Sequence, residues 1–261
     1  MYFFSCFKYP VFFKRTLITT AVATVLVSTP DAYSRTLLPG ESAVVTNPPA
    51  PESWGVSQGG TLTINNATTL SIDSQKATVV FNGGQSQRIS ADTSVLNISG
   101  ANVNSTTGRG AVQLIDSTAT IDNTNITSGN SFGVLLGRNI NTPVSSSATV
   151  KGGSTITGAL GGANAVGFAV LNVENSTLRG TGATSYGVQL GGATLSATGS
   201  VISGEQDGLQ IITDTTGVNA SDVTLNGSRV TGGTGSAIVL GSSGAAGSVA
   251  TINVLNGTEL I

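Results

Sequence analysis

The chain has 261 residues, of which 9% are charged and 39% hydrophobic, with 35 Gly, one Cys, no His and a formal net charge of −2. So few charges leave no basic patch to neutralise phosphates, which excludes nucleic-acid binding. The absence of His removes the commonest general base and the commonest metal ligand together, while a mean hydropathy of +0.23 is too apolar for a solvated coil.

Residues 1–34 stand apart from the rest. Five of the eight Phe, three of the 11 basic residues and Cys6 fall there. Lys8, Lys14 and Arg15 form a basic n-region, residues 17–27 an apolar h-region, and Pro30 breaks it. Ala32-Tyr33-Ser34 then offers small residues at the −3 and −1 positions of a cleavage site, completing the layout of a secretory signal peptide. A membrane anchor needs about 20 continuous apolar residues. This run has 11 positions, three of them Thr, and Cys6 precedes it, which argues against a lipoprotein. Cleavage after Ser34 removes Lys8, Lys14, Arg15 and Asp31, leaving 8 basic and 12 acidic residues and no thiol. The exported chain is then held by packing and backbone hydrogen bonds alone.

Residues 35–54 show no sustained alternation, and Pro48-Pro49-Ala50-Pro51 favours extended backbone, so this stretch is expected to be a leader. From residue 55 the pattern changes. Leu62 and Ile64, Leu70 and Ile72, and Leu96 and Ile98 alternate with polar neighbours between Gly, Asn and Ser, the mark of short strands.

The strands recur as a unit. A small–apolar–any–apolar element occurs at Ala111-Val112-Gln113-Leu114, Gly133-Val134-Leu135-Leu136, Gly167-Phe168-Ala169-Val170, Gly187-Val188-Gln189-Leu190, Gly208-Leu209-Gln210-Ile211 and Ala237-Ile238-Val239-Leu240. A second apolar position recurs at Val103, Ile126, Ile156, Leu178, Ile202, Val230 and Leu260. A third recurs at Ile98, Ile121, Val150, Val173, Leu195, Leu225 and Ile252. Three strands per unit in fixed order, with units of about 20 to 30 residues, describe the rungs of a parallel β-helix, an all-β solenoid. A β-sandwich would space its strands by about 8 to 12 residues without repeating this three-strand order. Extra residues enter such a rung as corner loops at little cost, and residues 140–147 and 213–220 read as two of them.

An exported, Ser/Thr/Asn/Gly-rich solenoid without Cys resembles the pertactin-like passenger domains of bacterial autotransporters. The resemblance spans residues 55–261 and lies in whole units. One runs from Ala119-Thr120-Ile121 through Asn125-Ile126-Thr127 to Gly133-Val134-Leu135-Leu136, another from Ala193-Thr194-Leu195 to Gly208-Leu209-Gln210-Ile211. It implies a right-handed parallel β-helix of three-strand rungs, carried across the outer membrane by a C-terminal β-barrel. It also implies a surface-exposed or secreted adhesin or virulence factor that binds a host surface, a matrix or other cells. The chain ends at Ile261 inside a rung, with no barrel strands after Asn256-Gly257-Thr258-Glu259-Leu260. The expectation is therefore a fragment or the product of a truncated gene, reaching the cell surface only with a barrel and otherwise the periplasm.

Candidate chemistry is sparse, and no catalytic residue, cofactor site or metal site is assigned. Gly129-Asn130-Ser131-Phe132-Gly133 imitates a Gly-x-Ser-x-Gly elbow, which needs a strand-to-helix turn and a His partner. Arg109-Gly110-Ala111 lacks the Asp of the Arg-Gly-Asp adhesion tripeptide and reads as a turn. Asp207, Asp214 and Asp222 lack the Gly-rich repeat of calcium-binding solenoids. Phe132 and Tyr186 precede the Gly of the recurring element and are expected to stack at a turn within the fold. Asn-x-Ser/Thr sequons, as at Asn97, Asn175 and Asn226, follow from composition. Two rival functions remain. A β-helical polysaccharide lyase or hydrolase would need gathered carboxylates, and only Glu205 and Asp207 form a pair. An ice-binding solenoid would need a regular Thr-x-Thr array. Thr61-Leu62-Thr63, Thr118-Ala119-Thr120 and Thr155-Ile156-Thr157 are expected to fall at different places in the unit.

Overall fold

Short runs of alternating small and apolar residues, each too narrow to bury anything alone, gain a core only by stacking on their own repeats. The computed structural model describes residues 34–48, 50–137, 144–212, 220–241 and 250–261. Among them are 24 strands and no helix, joined in a parallel ladder without a break. It is a parallel β-helix with three faces.

Face A is followed through its outward column Ser42, Thr61, Thr78, Val95, Thr118, Ser147, Val170, Thr194, Asp222 and Thr251, ten levels in register. Face B carries the inward column Val103, Ile126, Ile156, Leu178, Ile202, Val230 and Leu260. Face C carries the inward column Trp54, Ile72, Ile89, Val112, Val134, Ala163, Val188, Leu209 and Ile238. These inward columns meet in one continuous hydrophobic core. Successive levels are about 4.8 Å apart, so each side chain packs on its counterpart above and below.

The corner from face A to face B has a single rule. At every level the residue that turns it is Asn or Gly with positive φ: Asn47, Asn66, Gly83, Gly100, Asn123, Gly152, Asn175, Gly199, Gly227 and Asn256, with φ between 47° and 69°. These two residue types enter the left-handed region at least cost, which explains their recurrence there. Just inside that corner runs a hydroxyl ladder. Thr124 N–H donates to Ser154 Oγ at 3.1 Å, Ser176 N–H to Ser200 Oγ at 3.3 Å, and Ser200 N–H to Ser228 Oγ at 3.1 Å. A similar ladder follows the corner from face C to face A. There Ala77 N–H donates to Ser94 Oγ at 3.1 Å and Ser94 N–H to Ser117 Oγ at 3.0 Å. Corners, where the sheet hydrogen bonds lapse, thus satisfy their buried amides through Ser and Thr.

Several expectations change in the structure. Residues 35–54, read as a leader, already carry strands Ser34–Leu37, Ser42–Thr46 and most of Glu52–Val56, paired to the next level. Each is too short, and too closely bounded by Pro39-Gly40 or by Pro48 and Pro51, to show alternation. Pro lacks the N–H a ladder needs, and at this level it is Glu52, after the prolines, that joins the face-B column by pairing with Thr69. The unit at Gly167-Phe168-Ala169-Val170 is out of register. Gly162-Ala163-Asn164-Ala165 holds that place, and exposed Phe168 turns the next corner at φ 65°. Leu195 and Ile252 face inward as expected, but Ala197 and Val254 are the register partners of Val173 and Leu225. At Ala163 and Ala197 a small residue stands at the repeating place while a larger one nearby mimics it.

The signal segment and the loop expectations at 140–143 and 213–219 lie outside the described residues. Ser147 and Ser221 already open strands Ser147–Lys151 and Ser221–Asn226.

Candidate functional site

Two of the three Thr-x-Thr motifs do share a place. Thr61 and Thr118 stand in one outward column of face A with Thr78, Thr194 and Thr251, and Thr63 and Thr120 in the next with Thr149 and Thr224. Only Thr155 and Thr157 lie elsewhere, on face B. Both columns are interrupted, at Val95, Val170 and Asp222 in the first and at Val80, Asn97 and Asn172 in the second. They form a nearly uncharged face, not a regular Thr array.

The remaining sequence candidates are occupied by structural roles. Ser131 is buried at the face B to face C corner between two strands, and its carbonyl accepts from Leu160 N–H at 3.1 Å. Glu205 pairs with Arg179 at 3.0 Å, whereas Asp207 is buried and accepts from Ser236 N–H at 2.8 Å. Asp222 points outward from face A, and Asp214 lies outside the described residues. Among the described residues no three Asp, Glu, His or Cys gather in a metal-binding group. Phe132 and Tyr186 do occupy one column, two levels apart, with Gly161 between them. A Cβ on Gly161 would meet the Phe132 ring at 2.6 Å, so this buried ring lies directly over the glycine.

A concavity lies at the corner from face B to face C. In the first rungs this corner is tight: Ser86 of face B is followed by Ile89 of face C, within the single strand Thr78–Asp92. One level on, Val103 pairs with Ser86 but Val112 pairs with Ile89, so nine residues cover what three covered before. Strand Val95–Ser105 ends, residues 106–109 stand exposed, and the rung closes again where Ile89 N–H donates to Ala111 O at 2.9 Å. Between the tight rungs and this first wide corner lies a cleft of about 550 Å³. Leu70, Ser71, Gln87 and Arg88 form one wall and residues 105–109 the other.

The overhanging wall is held in place. Asn130 Nδ2 donates to Thr106 O at 2.6 Å, Gly129 N–H to Ser105 O at 2.8 Å, and the Ser105 and Thr107 hydroxyls bond at 3.1 Å. At the return of the loop, a Cβ on Gly110 would meet the Leu135 side chain at 2.9 Å, so a larger residue there would require Leu135 to shift. In the other wall Arg88 Nη2 bonds Asp73 Oδ1 at 2.7 Å, and Ser71 Oγ donates to Ser53 Oγ at 3.2 Å. Arg109, exposed at the loop tip, makes no ion pair among the described residues. In the sequence Arg109-Gly110 reads as an ordinary turn, and nothing there singles out Arg88. Their 21-residue separation acquires meaning only once the register of the two levels is known.

Comparison of the chain with family models, with curated proteins and with solved structures returned no match.

Proposed function

We propose that this chain is an exported, rigid β-helical binding module of the pertactin-like autotransporter passenger type, displayed or released to adhere to a host surface, a matrix or other cells. The observation that carries the reading is the unbroken three-faced ladder behind a signal-like segment. Such a stack needs no disulfide, builds its core one rung at a time, and places its variable residues at the corners, where loops are free to diversify. The carboxylates a glycan-cleaving enzyme would use are instead engaged: Glu205 with Arg179, and Asp207 with the Ser236 backbone. The binding reading therefore has the better physical support.

Expression of the full chain in a Gram-negative host, followed by N-terminal sequencing of the exported product, tests the export half. The expected product begins at Arg35. The adhesion half is tested by retention of cells on the purified exported chain, with a denatured sample as control. Equal retention on both would overturn it. Sequencing the DNA that follows the Ile261 codon tests the autotransporter assignment, which expects an open frame encoding a β-barrel.

A further inference from the structure

We propose that the cleft at the first wide corner binds an anionic saccharide unit, with the acid group of the sugar held between Arg88 and Arg109; this rests on the reading of the chain as a binding module. Four observations support it. The cleft is large enough for a sugar residue or two, within the range of about 300–1,000 Å³ usual for ligand pockets. It is built by a specific change in the fold, the lengthening of one corner from three residues to nine, and its overhanging wall is held by hydrogen bonds from Asn130 Nδ2 and Gly129 N–H. In a chain with a net charge of −2, two guanidinium groups line this cleft, and the nearest carboxylate the structure pairs with them is Asp73, bonded to Arg88 and outside the lining. Finally, the rest of the lining suits a sugar. Ser71, Gln87, Thr106 and Thr107 present hydroxyl and amide groups to ring hydroxyls, beside one half-buried apolar side chain, Leu70, for a ring face.

The guanidinium groups decide the chemical class. Arg presents a planar fork of donors matched to a carboxylate or a sulfate ester, and a charge-assisted pair of this kind is about twice as strong as a neutral hydrogen bond. Arg88 pairs one nitrogen with Asp73 and keeps its other donors, while the Arg109 fork makes no ion pair among the described residues. Two cations in one cleft are too few to hold a nucleic acid, whose binding depends on many phosphate contacts. They suffice for a single acid group whose neighbours are hydroxyls.

The test is binding of the full-length exported chain to three oligosaccharides of matched length: oligogalacturonate, a heparin-derived fragment and maltohexaose. A poly-glutamate peptide serves as an anion without sugar. We expect binding to one or both acidic oligosaccharides, weakening as salt is raised, and little to maltohexaose or the peptide. Galacturonate alone would identify a carboxylate as the recognised group, and heparin alone a sulfate. Arg109→Gln, at an exposed position outside the core, is expected to weaken that binding about 10-fold or more with an unchanged melting curve. Arg88→Gln should weaken it similarly. Absence of binding to both acidic oligosaccharides, equal binding of maltohexaose or peptide, or an Arg109→Gln chain that binds like the wild type would each overturn the proposal. Cell retention separates the two readings. Retention that persists without acidic-sugar binding sinks only this inference, whereas sugar binding without retention sinks only the adhesive role.

Discussion

At the scale of single residues, this fold concentrates its requirements in the corners and in the glycines beneath the large side chains. The glycine that opens the recurring element on face C illustrates the second. A Cβ on Gly187 would stand 2.6 Å from Ile202 Cγ2, 2.6 Å from Ser203 N and 2.7 Å from Gly208 O, and Gly133 and Gly208 stand in the same relation to Ile156 and Val230. The face-B side chain of the next rung occupies the place of the missing Cβ. Gly187→Ala is therefore expected to destabilise by about 2–3 kcal/mol, since backbone atoms on both sides leave little room to relax; urea denaturation measures it. The hydroxyl ladder makes a second demand. Ser200 Oγ accepts from Ser176 N–H and donates to Thr198 O at 2.8 Å, and its replacement in Ser200→Ala strands a buried amide. The expected loss is about 1–3 kcal/mol, and a variant as stable as the wild type would show that water replaces the hydroxyl. Thr93 offers the opposite case. It is β-branched yet sits at φ 51°, in a corner where Gly192 also has positive φ, and its hydroxyl reaches only exposed Asp92. Thr93→Asn should raise stability by about 0.5–1 kcal/mol, because Asn enters this region with less strain.

At the scale of strands and corners, much of the architecture is legible in the sequence, and the exceptions have identifiable causes. The face-B column from Val103 to Leu260 is read without error, because one large apolar residue recurs at each level with mostly polar neighbours beside it. The face-C column slips at one level, where Ala163 takes the inward place and Phe168, a better match by size, lies on a corner. The cleft is illegible for another reason. Arg88 and Arg109 come to line one cleft only through a pairing that skips from Ser86–Val103 to Ile89–Val112, and sequence periodicity does not reveal where a corner lengthens. Depth within a column also governs what a substitution costs. Leu190 and Leu240 belong to one inward column with Ile211 between them, but Leu190 is fully buried and Leu240 is 57% exposed. Leu190→Ala should cost about 2–5 kcal/mol and Leu240→Ala well under half of that. Equal losses would mean that the column does not pack as one stack.

At the scale of the whole molecule, each rung touches only its neighbours, so stability is a sum of local terms and not a property of one closed core. The ion pairs follow the same nearest-neighbour logic. Arg88–Asp73, Lys151–Asp122, Arg179–Glu205 and Arg229–Glu259 each join adjacent levels, and being exposed they add little beyond register. The pair at the first level is different. Arg35 lies 5.6 Å over the Trp54 ring and bonds buried Glu52 at 3.0 Å, neutralising a carboxylate that the stack encloses. At the last level the inward side chains have a neighbour on one side only: Val254 and Leu260 remain 45% and 46% exposed, whereas Val173 and Leu178 in the middle are fully buried. A one-dimensional stack of this kind opens from its less supported end, and its opening free energy rises inward, level by level. Amide exchange of the chain as it stands should then show a gradient. Protection is expected to be weakest over residues 250–261, greater over strand Arg229–Gly232, and greatest near strands Val170–Glu174 and Thr177–Gly180. Arg35→Ala, by leaving Glu52 without its partner, should lower protection in strand Glu52–Val56 while leaving the middle rungs unchanged. Exchange at one common rate along all three faces would instead establish a single cooperative unit, and the nearest-neighbour account of this solenoid would have to be abandoned.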